Sequence, residues 1–224
     1  MHIRSISGYD GWEAVGQLTA RKVDKRSLAE VAKALRMDKI AILQTLMMSD
    51  TQRLRALEVV AALNLPDCWI GAGFVRDALW DHLHGYAVTA PKGDVDVIWY
   101  DTASPQADLD IERELQRAMP SLVWSVKNQA RMHLRNGDAP YASAGDAMRH
   151  WPETATAVAA RLGSSGSVEI NAPLGLDDLF TLRLRPTAHF LTDKHPIFVD
   201  RVSSKRWIDR YPRLLLEPAA IRTS

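Results

Sequence analysis

Ile70-Gly71-Ala72-Gly73-Phe74-Val75-Arg76-Asp77-Ala78-Leu79 passes from strand-forming residues through a glycine turn into helical spacing. After a loop containing Pro91 and Gly93 comes Asp94-Val95-Asp96-Val97-Ile98-Trp99-Tyr100, which alternates polar with apolar and then turns wholly apolar. The first segment reads as strand, turn and helix, and the second as a strand. Side chains two apart on a strand share a face, so Asp94 and Asp96 can reach one cation. Magnesium prefers such hard oxygen ligands and is often held by one or two protein carboxylates plus substrate phosphate. Glycines between strand and helix let a phosphate approach the backbone, and the helix N-terminus favours the negative charge. A bare glycine turn also serves as plain structure, and an Asp pair also serves as a turn cap, so the order of the two motifs carries the signal.

Working outward, Leu28, Val31, Leu35, Ile40, Leu43, Leu46, Leu54, Leu57 and Val60 follow helical spacing. Three short helices are expected between Ser27 and Leu63, broken at Asp38 and at Ser49-Asp50, with Ser27 and Glu30 in a capping-box pattern. On the C-terminal side the expectation is a helix over 108–119, a strand over 122–126, and a helix from Pro152 to Leu162. Gly163–Ser167 is then a flexible connector, Val168–Ile170 and Thr181–Arg185 are short strands, and a last helix precedes Pro212. These segments complete an alternating α/β order. Residues 1–46 are expected as an N-terminal helical extension and residues 47–224 as the main domain.

Composition narrows the class. Of 224 residues, 46% are apolar and 25% charged, which suits a globular protein with a sizeable core. A net charge of +1 supplies no general field for a polyanion or an acidic membrane surface. The single cysteine, Cys68, excludes an internal disulfide and a multi-cysteine zinc site. No secretory signal is visible and nowhere do about 18 apolar residues run together, so the expectation is a cytoplasmic protein with no membrane partner.

Other motifs point elsewhere more weakly. Arg76 stands three residues after Gly73, where a dinucleotide fingerprint needs glycine, and no G-x-x-x-x-G-K-[ST] run occurs. His82 and His84 do not share a helix face. Trp124, Trp151 and Trp207 are candidates for stacking a base, with core packing as the alternative. Asn136-Gly137-Asp138 reads as a turn. SLAEVAKALRMDKIAILQTL, residues 27–46, has the rhythm of a helix-turn-helix, but its second half carries one basic residue.

The Gly71–Leu79 and Gly93–Val97 segments resemble the nucleotidyltransferase superfamily of the DNA polymerase β type. They are similar to the tRNA CCA-adding branch, with its G-G-x-V-R-D-x-L and D-h-D, and the chain looks still more like a largely bacterial family of predicted nucleotidyltransferases. The carrying segments are LPDCWIGAGFVRDALWDHLHG, GDVDVIWYD, VWSVKNQARMHLRNGDAPY, HWPETATAVAARL and EINAPLGLDDLF. The resemblance covers about Met47 to Tyr211 and implies an α/β (α+β) fold with a small mixed β-sheet flanked by helices, a divalent metal, Mg2+ or Mn2+, and an NTP such as ATP, but no particular acceptor.

By that resemblance Asp94 and Asp96 are the metal-binding catalytic pair, Gly71 and Gly73 the glycine turn, and Arg76 and Asp77 nucleotide-binding residues. Ala72 stands between glycines that are adjacent in many relatives. The superfamily usually adds an acidic residue on a later strand, for which Glu169 is the candidate and Asp177 or Asp178 further choices. The nearer strand at 124–128 offers Lys127 and Asn128 instead of an acid. Lys127, Asn128 and Arg131 are candidates for contacting phosphate. The expected activity is transfer of NMP from an NTP to a hydroxyl acceptor, which is RNA, protein or a small molecule, with pyrophosphate released. The alternatives are a catalytically silent nucleotide-binding relative and a DNA-binding regulator acting through residues 27–46.

Overall fold

The computed structural model describes residues 25–87, 89–104 and 107–217. In chain order the elements are α1 (Lys25–Ser49), α2 (Thr51–Ala62), β1 (Trp69–Gly71), α3 (Gly73–Leu83), β2 (Asp94–Trp99), α4 (Asp108–Ala118), β3 (Val123–Asn128), α5 (Gln129–Asn136), α6 (Ala144–Met148), β4 (Ala159–Leu162), β5 (Val168–Asn171), α7 (Asp177–Phe180), β6 (Arg183–Leu184), α8 (His195–Lys205), α9 (Trp207–Arg210) and β7 (Leu215–Leu216). The main sheet has the order β3-β2-β1-β4-β5. Only the β2–β3 pair in it is parallel, and α4 supplies the crossover that a parallel pair requires. The sheet is therefore mixed, as the family resemblance implied.

Period-two alternation gives the sheet two different faces. Ile70, Val95, Val97, Trp99, Trp124, Val126 and Ala160 are buried in the larger core with Leu57, Phe74, Leu79, Ile111 and Leu115 of the helices. The opposite face carries a smaller cluster, Trp69, Ile98 and Ala159 against Ala144, Met148 and Ala157. Asp94 and Asp96 have the same parity as Ile98, so they stand on this thinner side, where the sheet is incompletely covered.

Two expectations are corrected. Asp38 does not end a helix: α1 runs unbroken from Lys25 to Ser49, and Asp38 is exposed, where an aspartate lowers helix propensity only slightly. The break at Asp50 is real, because its carboxylate caps α2 by accepting from the N–H groups of Gln52 and Arg53. The expected helix from Pro152 to Leu162 is instead a 3-10 turn at Thr154–Thr156 followed by β4. Ala159 and Ala160 pair with Gly71 and Ile70 on one side and with Asn171 and Ile170 on the other, so tertiary pairing overrides the helical propensity of alanine. The Gly163–Ser167 connector closes the β4–β5 hairpin, the Gly163 N–H donating to the Ser167 carbonyl at 2.8 Å. Helices α5, α6 and α8 had no counterpart among the expected elements.

Contacts divide the chain into two units, Met1–Asp38 and Lys39–Ser224. Leu43 and Met47 are fully buried in the core of the second unit, which explains why that unit begins within α1. Among the described residues no helix is long and apolar enough to cross a membrane.

Candidate active site

Asp94 and Asp96 begin β2, separated by the fully buried Val95, which anchors the strand beneath them. Asp94 is exposed and Asp96 is half-buried. Neither carboxylate has a hydrogen bond or ion pair to a described residue. Burial first, and then the Asp94 charge, push the Asp96 carboxyl up to about 6, against the pull of Lys205, Arg76 and Arg201. Two unpartnered carboxylates on one face, one of them desolvated, are a donor set that fits a hard divalent cation.

Beside this pair lies the glycine turn. Gly71 ends β1 directly opposite Asp96 in the sheet register. Ala72 follows with φ 54° and ψ −124°, a left-handed conformation that favours glycine, and it is the N-cap of α3. No side chain caps that helix; the Val75 N–H turns back to the Ala72 carbonyl, which leaves the Gly73 and Phe74 amides without a helical acceptor, and Ala72 itself lines the adjacent cleft. A Cβ on Gly73 would lie 3.3 Å from the Arg76 guanidinium, so glycine there admits the side chain folding back over the turn. Gly71 has a different reason: the Trp151 indole packs on it.

The cleft has a volume of about 550 Å³ and extends from Asp96 and Ser125 across Lys127 to Asp138, His150 and Trp151, with Lys194 and Arg201 of the C-terminal region on its far wall. Lys127 lines it while pairing with Glu112 at 3.1 Å. Asn128 does not. It is buried, accepts from the Ala130 N–H at the start of α5, and bonds both backbone groups of Asp101, which makes it a joint between loop and helix. Arg131 reaches Asp108 and the Ser104 carbonyl.

The other candidates are held in pairings of their own. Arg76 and Asp77 form a buried ion pair at 2.7 Å. The Arg76 guanidinium also donates to Thr156 and lies between the rings of Trp80 and Trp207, while Asp77 receives Arg210. Glu169 is on β5, three strands from β2, and pairs with Arg161 at 2.6 Å, so it is not brought to Asp94 and Asp96. Asp177 and Asp178 are engaged by Lys39 and Arg185. On β3 the residue opposite Asp96 is Ser125. Trp124 and Trp207 are buried in the core, which leaves Trp151 as the tryptophan of the three that faces the cleft.

The sequence reading missed the Asp138, His150, Lys194 and Arg201 wall. These residues come from separate loops and helices with no shared spacing, so no local signal could have assembled them. Asp138, His150 and His189 bring ligand atoms within 4.8 Å of one another, but Asp138 already accepts from Lys194 at 2.7 Å and from the Tyr141 hydroxyl.

A family model described as nucleotidyltransferase matches residues 58–216, which takes in both motifs and most of the second unit. The chain belongs to the nucleotidyltransferase family. It is an enzyme of that class by family, and its fold agrees. A solved structure described as revealing a CCA-adding enzyme head domain superposes with a TM-score of 0.71 at 31% identity, covering 79% of this chain and 94% of that one. The Thermotoga maritima CCA-adding enzyme complexed with tRNA shares the fold, with a TM-score of 0.51 at 16% identity, covering 80% of this chain and 43% of that one. An apo CCA-adding enzyme gives a TM-score of 0.52 at 16% identity, covering 80% and 44%. This nucleotidyltransferase thus spans less than half of those two CCA-adding enzymes. No curated protein matches its sequence.

Proposed function

We propose that the protein transfers NMP from an NTP to a hydroxyl acceptor, using Asp94 and Asp96 to hold Mg2+ or Mn2+. The carrying observation is the unpartnered carboxylate pair on one face of β2, beside Gly71 and the uncapped start of α3. A divalent ion bound there neutralises phosphate oxygens, which is most of what phosphoryl transfer asks of a protein. The α3 amides bind and orient the phosphate chain, and Gly71 and Gly73 let Trp151 and Arg76 pack closely on the turn that presents those amides. Lys127 adds positive charge within the cleft. Arg76 and Asp77 act indirectly, by locking α3 against Trp207 and Arg210 of α9. Glu169 has no part in this reading, given its pairing with Arg161.

The test is incubation with Mg2+, labelled NTPs and cell extract. Label transfer to an RNA, protein or small-molecule product that disappears in Asp94→Ala and Asp96→Ala is the expected result. Label transfer unaffected by both variants would remove the assigned role. The CCA-adding relatives make an RNA 3′ hydroxyl the first acceptor to try.

A second reading, a catalytically silent nucleotide-binding relative, is favoured by one observation: β3 presents Ser125 and Lys127 beside β2 instead of an acidic residue. NTP binding without pyrophosphate release would select it. A helix-turn-helix regulator lacks its turn, since α1 is continuous through Arg36–Asp38.

A further inference from the structure

We propose that His150, with its Nδ1 turned to Asp138, is the base that takes the proton from the attacking hydroxyl, filling the role left open by the absence of an acid opposite Asp96. This rests on the nucleotidyl-transfer reading above.

The geometry begins with Asp138, which follows the left-handed Gly137 cap of α5. Lys194 and Tyr141 both donate to it. Burial draws its carboxyl upward, but these hydrogen bonds outweigh burial and hold it below the usual aspartate range, so it is an anion at neutral pH. His150 Nδ1 is buried, lacks a hydrogen-bond partner and lies 3.5 Å from Asp138 Oδ2. That is long for a hydrogen bond, as catalytic pairs often are before substrate closes the site. A proton on Nδ1 facing the carboxylate makes Nε2 the basic nitrogen, and His150 lines the same cleft as Asp96. The chain connects the two sites directly: Trp151, the next residue, packs on Gly71, and Gly71 pairs with Asp96.

The groups around His150 keep it neutral. Burial first, then the stacked His189 ring at 3.9 Å and Lys194, lower its pKa, while Asp138 and Asp146 oppose them, and the Tyr141 ring packs on its other side. A neutral imidazole oriented by a carboxylate is the arrangement that general-base catalysis needs. In the step, Nε2 accepts the hydroxyl proton as the oxygen forms a bond to the α-phosphorus. The bond from that phosphorus to the bridging oxygen breaks, and pyrophosphate leaves with the electron pair. Asp138 is a positioning residue. The Asp138–His150–His189 group is less suited to a cation, because Lys194 already neutralises its one carboxylate.

The experiment compares wild type, His150→Gln, His150→Ala, Asp138→Asn and Asp96→Asn, each full length, with Mg2+ and labelled NTPs in the label-transfer assay, alongside NTP affinity and the 15N signals of His150. Expected are a roughly 100-fold loss of turnover in His150→Gln with NTP affinity unchanged, and partial rescue of His150→Ala by added imidazole. Wild-type His150 shows its proton on Nδ1, and Asp138→Asn redistributes it. Unchanged NTP affinity also certifies that the variants fold. Activity within threefold of wild type in His150→Gln, or a proton found on Nε2, overturns the role of His150 while an inactive Asp96→Asn leaves the transfer reading standing. A wild type that transfers nothing overturns both.

Discussion

The Trp151 indole lies directly over the backbone of Gly71: a Cβ built there would be 2.7 Å from Trp151 Cη2. Gly71 is also the register partner of Asp96, so the floor of the cleft and the acidic pair share one packing constraint. Gly71→Ala must therefore displace a rigid ring or the strand, and about 1–3 kcal/mol of stability is expected to be lost. Urea unfolding together with tryptophan emission checks this, and an unchanged midpoint with unchanged emission would contradict the contact.

Ala72 holds φ 54° and ψ −124° at the N-cap of α3, a conformation that an alanine adopts only under strain. Ala72→Gly relieves that strain, and its gain exceeds the extra backbone entropy of glycine. A stabilisation of about 1 kcal/mol is expected, read as a higher urea midpoint with unchanged slope. A lower midpoint would mean that alanine is not strained there.

Asp77 neutralises Arg76 and Arg210 inside the protein. Asp77→Ala leaves the buried Arg76 guanidinium without its anion, and the expected loss is about 3–5 kcal/mol. Denaturant unfolding measures it. If Asp77 instead contacts nucleotide without carrying structure, NTP affinity falls and stability stays.

Burial and the Asp94 charge push the Asp96 carboxyl up to about 6 in the folded protein, against about 3.9 for an ordinary aspartate. The folded state therefore retains a proton that the unfolded chain has released, and metal-free protein loses stability as pH rises from about 4 to 6. Above that window the full penalty stands. Asp96→Asn removes it, so in EDTA at pH 8 the variant is expected to be more stable than wild type by about 1–3 kcal/mol, with no advantage below pH 4. Thermal melts at both pH values decide the matter. Equal gains at both would rule out titration as the cause.

Read from sequence alone, the cores of both motifs emerged because their signals are local. Alternation over Asp94–Val97 followed by an apolar run makes β2, and glycine followed by an apolar stripe makes the β1-to-α3 turn. The pairing of β2 with β3 and the fate of 157–162 were decided by tertiary contact. An alanine-rich run has helical propensity worth only tenths of a kcal/mol per residue, which the hydrogen bonds and burial between β1 and β5 easily exceed.

Residue types alone determined that Asp94 and Asp96 share a face, since strand periodicity is a property of the backbone, whereas the register of β1 on β2 set them beside the glycine bend. Only the folded chain decided that Glu169 belongs to Arg161, that Arg76 and Asp77 are interior, and that His150 and Asp138 meet in the cleft. Those partnerships join positions whose separation along the chain says nothing about their distance, because they follow from how strands order in the sheet and helices close over it.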